Sequence, residues 1–418
     1  MQRAGNGISP CFRKTTLKNG VRVLSERIPS VRSVSVGAWV AAGSRDERAE
    51  ERGISHFIEH MVFKGTRKRR MHHIARRMES VGGYLNAFTA KEYTCYYARA
   101  LDEHLARAID TVCDLILFPT LPEKEIEKEK GVILEEMKMY EDNPEELVFD
   151  RFESVVYDGH ALGAPVIGYP QTVQSFDREM LCDYMRSHYV PDRVVLVVAG
   201  NADHDDIVRM AGDMLGGMPI AERPIRRAPV NGYVPHDFVE SRPIQQAHFV
   251  MGARGLSVRN EDRVAFSVLN TLLGGGMSSR LNQNVREKYG FCYNIGSFAN
   301  MHSDSGDFGV YAASDVRKME RVKKLIRKEL RYFVEVPIGS RTLNEAKNQL
   351  RGAMMLGLEG MSNRMMGIGR QELYFGRYLT LDEISDAIGK VTVEDVQRVA
   401  SMLFKGDQLS TAALVPEG

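Results

Sequence analysis

The feature that most constrains this chain is that its second half reads as a faint copy of its first. The segment QQAHFVMGARGLSVRNEDRVAFSVLNTLL (245–273) repeats the strand, loop and helix order found from SVSVGAWV (33–40) through EERGISHFIEHMVF (50–63). The ending VTVEDVQRVASMLFKGDQLSTAALV (391–415) likewise mirrors TVQSFDREMLCDYMRSHYVPDRVVLVVAG (172–200). Both matches imply an offset of roughly 215 residues, too long for a solenoid repeat and suited to duplication of a whole domain. A chain of 418 residues also exceeds what one hydrophobic core of ordinary size holds. The expectation is two duplicated domains of about 200 residues, covering 1–217 and 238–418. The Pro- and Arg-containing MPIAERPIRRAPVNGYVPHD (218–237) reads as the linker between them.

Within each half, strands and helices interleave without strict βαβ regularity, which predicts an α+β fold. KTTLKNGVRVLSERI reads as strand, Asn-Gly turn and strand. GGYLNAFTA and EYTCYYARA form a hairpin-like pair, helices are expected near 102–117, 122–142 and 177–188, and RVVLVVAG reads as a buried strand.

The 56 basic and 55 acidic side chains nearly cancel, so no global field calls for nucleic acid or an anionic membrane as partner. No apolar run reaches the ~18 residues of a membrane span. The five cysteines, Cys11, Cys95, Cys113, Cys182 and Cys292, lie far apart, which suits buried thiols in a reducing compartment better than a disulfide framework. The first acidic residue is Glu26 and five basic residues precede it, a composition shared with organellar leaders. Because KTTLKNG already reads as folded structure, only a dozen or so residues remain for a leader, and a cytosolic protein is expected ahead of a mitochondrial matrix one.

The chemistry is concentrated in GISHFIEHMVFKGT (53–66). On a helix His56 and His60 share a face and Glu59 lies beside them. Two imidazoles on one face suit zinc, and a carboxylate that is not a ligand can serve as general base. Roughly 0.02 chance occurrences of this H-x-x-E-H triplet are expected in such a chain, which sets it apart from an ordinary amphipathic helix. The copy has apolar VLNTLLGG at the corresponding place, so only the first half can carry the site. A third protein ligand is needed, and the acidic helix EKEIEKEKGVILEEMKMYED supplies candidates.

In these residues the chain resembles the inverted-motif zinc metallopeptidases (inverzincins) of the pitrilysin, insulinase and mitochondrial processing peptidase family, with the processing-peptidase beta-subunit-like bacterial peptidases as the nearest pattern. The likeness runs from LKNGVRVLSE through GISHFIEHMVFKGT, NAFTAKEYTCYYA and EKEKGVILEEMKMYEDNPEE to LGGGMSSRLNQNVREKYGFCYNIGSF. It implies half of a clamshell, each domain a mostly antiparallel sheet packed with helices. It also implies Glu136 as third ligand, with Glu135 as the one-residue alternative, and Glu129 as the carboxylate that orients a ligand histidine. Arg286 and Tyr293 of the second domain are implied as donors to the scissile carbonyl and oxyanion, reaching the zinc of a partner chain. The strand YLNAFTA, at Asn86 and Ala87, is implied as the edge on which an extended peptide lies. In the processing branch, Glu146 and Asp150 receive a substrate arginine and Phe63 lines the pocket past the scissile bond.

The expectation is therefore a zinc-dependent endopeptidase with one Zn2+ per chain, acting on extended peptides in a dimeric chamber, with a homodimer favoured and a heterodimer as the other arrangement. Its physiological substrate is not readable from the sequence. A non-catalytic partner subunit with the same fold is the alternative, against which the complete set His56, Glu59, His60, Glu136, Arg286 and Tyr293 counts. GGGMSSR (274–280) lacks phosphate-loop spacing and reads as a helix break, and RKRR (67–70) reads as a solvated turn.

Overall fold

The structure, a computed structural model, describes residues 11–220, 227–230, 232–406 and 408–417. Residues 1–10, most of the stretch weighed as a leader, and residues 221–226 and 231 of the expected linker lie outside the described residues.

The first sheet contains six strands: Cys11–Thr16 (β1), Arg22–Arg27 (β2), Ser33–Val40 (β3), Tyr84–Thr89 (β4), Thr94–Leu101 (β5) and Val194–Gly200 (β6). Their order is β1-β2-β6-β3-β5-β4, and only β2 and β6 run parallel. The continuous apolar run VVLVVAG of β6 is buried at every residue, as a central strand covered on both faces must be. Period-two alternation sends Leu24, Trp39, Val195, Val197 and Ala199 into one cluster with Met365 and Ile368. Each fully buried aliphatic there contributes roughly 1.5–3 kcal/mol. The helix Met361–Phe375 that brings Met365 and Ile368 comes within contact of Trp39 at Gly369, where a Cβ would lie 2.3 Å from the indole ring.

The second sheet contains Asp237–Arg242 (β7), Ala247–Gly255 (β8), Cys292–Met301 (β9), Gly306–Ser314 (β10) and Ser410–Pro416 (β11), ordered β7-β11-β8-β10-β9 with only β7 and β11 parallel. This is the order β2-β6-β3-β5-β4 over again. The equivalent strands begin at Arg22 and Asp237, Ser33 and Ala247, and Val194 and Ser410, which are 215, 214 and 216 residues apart. Duplication, the α+β class and mostly antiparallel sheets are thus all present.

The helices used below are Ile54–Val62 (α1), Met71–Glu79 (α2), Leu105–Leu117 (α3), Glu123–Glu141 (α4) and Pro144–Val156 (α5). The chain packs as two compact units, one of residues 1–135, 165–227 and 357–378 and the other of 136–164, 228–356 and 379–418. These units cut across the expected ranges 1–217 and 238–418. In the second unit, α5 covers β8 and β11, with Val148, Phe152 and Val156 beside Val250, Ala412 and Leu414. In the first, the helix Met361–Phe375 covers β3 and β6. An apolar stripe reports that a helix must be buried and does not report which sheet it covers. No helix among the described residues is long and apolar enough to cross a membrane.

Candidate active site

α1 buries Ile54, Ser55, Phe57, Ile58, Met61 and Val62, the 3.6-residue stripe that fixes which face turns inward. His56, Glu59 and His60 occupy the rest of the helix surface and are all half-buried. The helix has an unusual start. Gly53 caps it with φ +95, and a Cβ there would lie 2.6 Å from the Ile167 carbonyl oxygen, so only glycine fits. Glycine has no side chain to satisfy the helix N–H groups, and Glu47 does so instead. Its Oε2 accepts from Gly53 N–H at 2.8 Å and its Oε1 from Ser55 N–H at 2.9 Å, which satisfies two of the helix's open donors. Burial pushes the Glu47 carboxyl up to about 8 against the pull of those two N–H groups. Ser55 is fixed on its other side by the Tyr184 hydroxyl at 2.8 Å.

α4 supplies the third donor. Its buried positions Ile126, Glu129, Ile133 and Met137 recur at i, i+3, i+7 and i+11, so one carboxylate stands within an apolar stripe. Glu129 is 3% exposed. Its Oε1 accepts from His60 Nδ1 at 2.9 Å and its Oε2 meets Lys64 Nζ at 2.6 Å. Burial raises the Glu129 carboxyl, but the bonds from His60 and Lys64 outweigh it and hold the group below its ordinary range. With Nδ1 bonded to Glu129, Nε2 is the His60 nitrogen that can serve a metal. Two turns along α4, Glu136 joins His56 and His60, and one donor atom from each lies within 4.8 Å of the other two. The division between compact units falls between Glu135 and Glu136, inside this continuous helix, so Glu136 is held by the same rod as Glu129. Glu135 faces solvent.

The donor set fits zinc. Two imidazoles and a carboxylate with one position left over are the three-ligand pattern of a catalytic zinc. Ligand histidines must be neutral, and burial first, then the neighbouring His60, pushes His56 down to about 3. Among the described residues no other group of three such side chains forms. Glu59 points to β4, where the Thr89 hydroxyl donates to its Oε2 at 2.5 Å.

The remaining expected residues fall in two places. Phe63 follows α1 directly and is half-buried. Asn86 and Ala87 lie on β4, which pairs with β5 on one side and ends the sheet on the other. In the second unit, Arg286 sits in a π-helical turn (Asn282–Glu287), a rare geometry frequent at functional sites. Its guanidinium lies 6.0 Å from the ring of Tyr293, which is 82% exposed. Glu146 and Asp150 lie one turn apart on α5, the first exposed and the second half-buried. Glu47, Lys64 and Thr89 were not singled out from the sequence. Lys64 carried a signal, being one helical turn beyond His60. Glu47 and Thr89 carried none, since their roles depend on tertiary folding.

Comparison with known proteins identifies the family. The family model described as Insulinase (Peptidase family M16) matches residues 22–169, and the one described as Peptidase M16 inactive domain matches 175–350. An uncharacterized zinc protease of Bacillus subtilis, YmxG, is 39% identical over 412 residues, 97% of this chain and 99% of that protein. An uncharacterized zinc protease of Streptomyces coelicolor is 42% identical, over 93% of this chain and 86% of that one. A protease from Helicobacter pylori has the same fold, with a TM-score of 0.92 at 22% identity over 97% of this chain and all of that one. With matched family models over most of its length and relatives near 40% identity along nearly all of it, the chain belongs to peptidase family M16, the insulinase family.

Proposed function

We propose that this protein is a metalloendopeptidase that cleaves extended peptides or unfolded segments within a dimeric chamber. The metal is zinc, and when bound it supplies a Lewis acid to the scissile carbonyl and to an attacking water. The observation that carries the reading is the convergence of His56, His60 and Glu136, with Glu59 on the same helix as the two histidines. In this reading His56, His60 and Glu136 hold the ion, and Glu129 fixes the ring of His60. Glu59 removes the proton of the attacking water and returns it to the leaving amine. The Thr89 hydroxyl donates to one carboxylate oxygen of Glu59 and so orients that carboxylate.

The open side of β4 offers backbone groups near Asn86 and Ala87 to an extended peptide, a mode largely independent of side-chain sequence. Phe63 lines the pocket past the scissile bond. Arg286 and Tyr293 donate to the developing negative charge, from a partner chain in the dimer. Glu146 and Asp150, at i and i+4, grip a substrate arginine. The residues 1–217 are read as the catalytic domain and 238–418 as the repeat that supplies the Arg/Tyr pair. All five cysteines are free thiols, which supports a cytosolic location.

Cleavage of a randomised peptide library tests endopeptidase action and the arginine preference together. Enrichment of arginine near the cut bond is expected, and it should vanish in Glu146→Gln/Asp150→Asn. A shared site is tested by mixing Glu59→Gln chains with Arg286→Ala chains: recovered activity is expected, and inactivity after verified subunit exchange would refute the dimeric arrangement.

A further inference from the structure

Arg67, Lys68 and Arg70 of RKRR are exposed, as a solvated turn requires, and Arg69 is the exception. Arg69 turns inward and forms ion pairs with Asp110 and Asp114 of α3, leaving its side chain 13% exposed. It begins a stripe. His73, Arg76 and Arg77 lie on one face of α2, with Arg69 just before the helix and Ser80 at its C-cap, and the other face buries Ile74 and Met78. Arg107 of α3 faces them and donates to the Arg77 carbonyl at 3.3 Å. Together with Lys68 these side chains line an open trench of about 570 Å³.

Five cations, Lys68, Arg69, Arg76, Arg77 and Arg107, line this trench. Asp110 and Asp114 are the two carboxylates that pair with them, leaving an excess of three positive charges on a chain whose net charge is +1. Arg76 and Arg107 form no ion pair among the described residues. Arg77 is held by Asp110 at 2.6 Å and by Thr111 at 3.2 Å, and Arg69 by its two carboxylates. These guanidinium groups are ordered before any ligand arrives, which lowers the entropic cost of using them.

We propose that this trench binds an acidic stretch of a polypeptide substrate, its Asp and Glu side chains meeting the guanidinium groups. Guanidinium matches carboxylate in paired geometry, and the volume exceeds that of one small anion. No phenylalanine, tyrosine or tryptophan lines it, so it lacks the stacking platform that single-stranded nucleic acid uses. α2, which lines the trench, packs on β4 and directly precedes it in the chain, so the trench neighbours the proposed substrate strand. The inference rests on the proposed role of β4 as substrate strand.

The test uses full-length Glu59→Gln protein, which separates binding from hydrolysis. A fluorescein-labelled peptide of otherwise uncharged residues that ends in six glutamates is compared by anisotropy with the same peptide ending in six glutamines. At least tenfold tighter binding of the glutamate form is expected at low salt, lost at 300 mM salt and lost in Arg76→Glu/Arg107→Glu. Should that pair of substitutions unfold the protein, the exposed Arg76→Glu alone should still reduce the preference severalfold. Equal binding of both peptides, or a preference that survives charge reversal, would overturn the proposal. Single-stranded RNA displacing the glutamate peptide with higher affinity would overturn it in favour of nucleic acid. If wild-type protein fails to hydrolyse the glutamine form while the glutamate preference holds, the peptidase reading fails and the trench remains.

Discussion

Replacing Glu129 by glutamine isolates the support of one metal ligand while leaving every proposed ligand in place. The carboxylate is 3% exposed and bonded on both oxygens, to His60 Nδ1 at 2.9 Å and Lys64 Nζ at 2.6 Å. A hydrogen bond to a charged group contributes about 1.5–3 kcal/mol, against about 0.5–1.5 kcal/mol for a neutral one. The amide can keep a neutral bond to His60, so that arm loses about 1–2 kcal/mol. The amide also leaves Lys64 without its counter-charge, and an ammonium beside His60 opposes a dication. At about 1.4 kcal/mol per decade, zinc affinity should fall about 10- to 100-fold, the range usual for partners of ligand histidines. Dialysis against chelators of graded affinity measures this directly, and thermal unfolding of the zinc-free proteins separates it from a folding defect. A Glu129→Gln protein that binds zinc within twofold of the parent would refute the idea that Glu129 fixes His60.

Thr89→Val removes the donor to Glu59 without changing side-chain shape, and kcat should fall about tenfold while zinc content and KM stay near the parent values in steady-state assays. Gly53→Ala forces a side chain into φ +95 against the Ile167 carbonyl and should destabilise the protein by at least about 2 kcal/mol, read from denaturant midpoints. Glu47 gives a pH signature. Its folded value of about 8 lies above its unfolded one, so the folded state holds the extra proton. The stability it contributes is complete below the ordinary carboxyl range and is lost as pH rises through about 8. Denaturant midpoints of the zinc-free protein should therefore decline between roughly pH 5 and 8, and Glu47→Gln, which cannot titrate, should flatten the decline. An unchanged slope in that variant would assign the decline to other groups.

The sequence was most legible where the physics is local. His56, Glu59 and His60 share a face because of helix geometry alone, and the strands from SVSVGAWV and RVVLVVAG appear where their patterns place them. The duplication was legible too, since the repeated strand order follows an offset visible in the sequence. Glu136 was reachable only through the family resemblance, because α4 presents several glutamates and nothing in its periodicity says which one meets the histidines. Packing between distant segments was not legible. α5 and the helix Met361–Phe375 each have an apolar face that suits either sheet. Arg69 looked as solvated as the rest of RKRR because its partners Asp110 and Asp114 lie some forty residues onward in α3. Glu47 caps α1 from an irregular segment with no pattern to betray it.

The central claim is that His56, His60 and Glu136 hold zinc for a reaction in which Glu59 moves the proton. Metal analysis of purified wild-type and Glu59→Gln proteins, paired with cleavage of a quenched arginine-containing peptide, tests it most directly. One zinc per chain in both proteins, with hydrolysis in the wild type alone, is the predicted result. Full-rate hydrolysis by Glu59→Gln, or a wild-type protein that neither holds zinc nor cleaves the peptide, would contradict it.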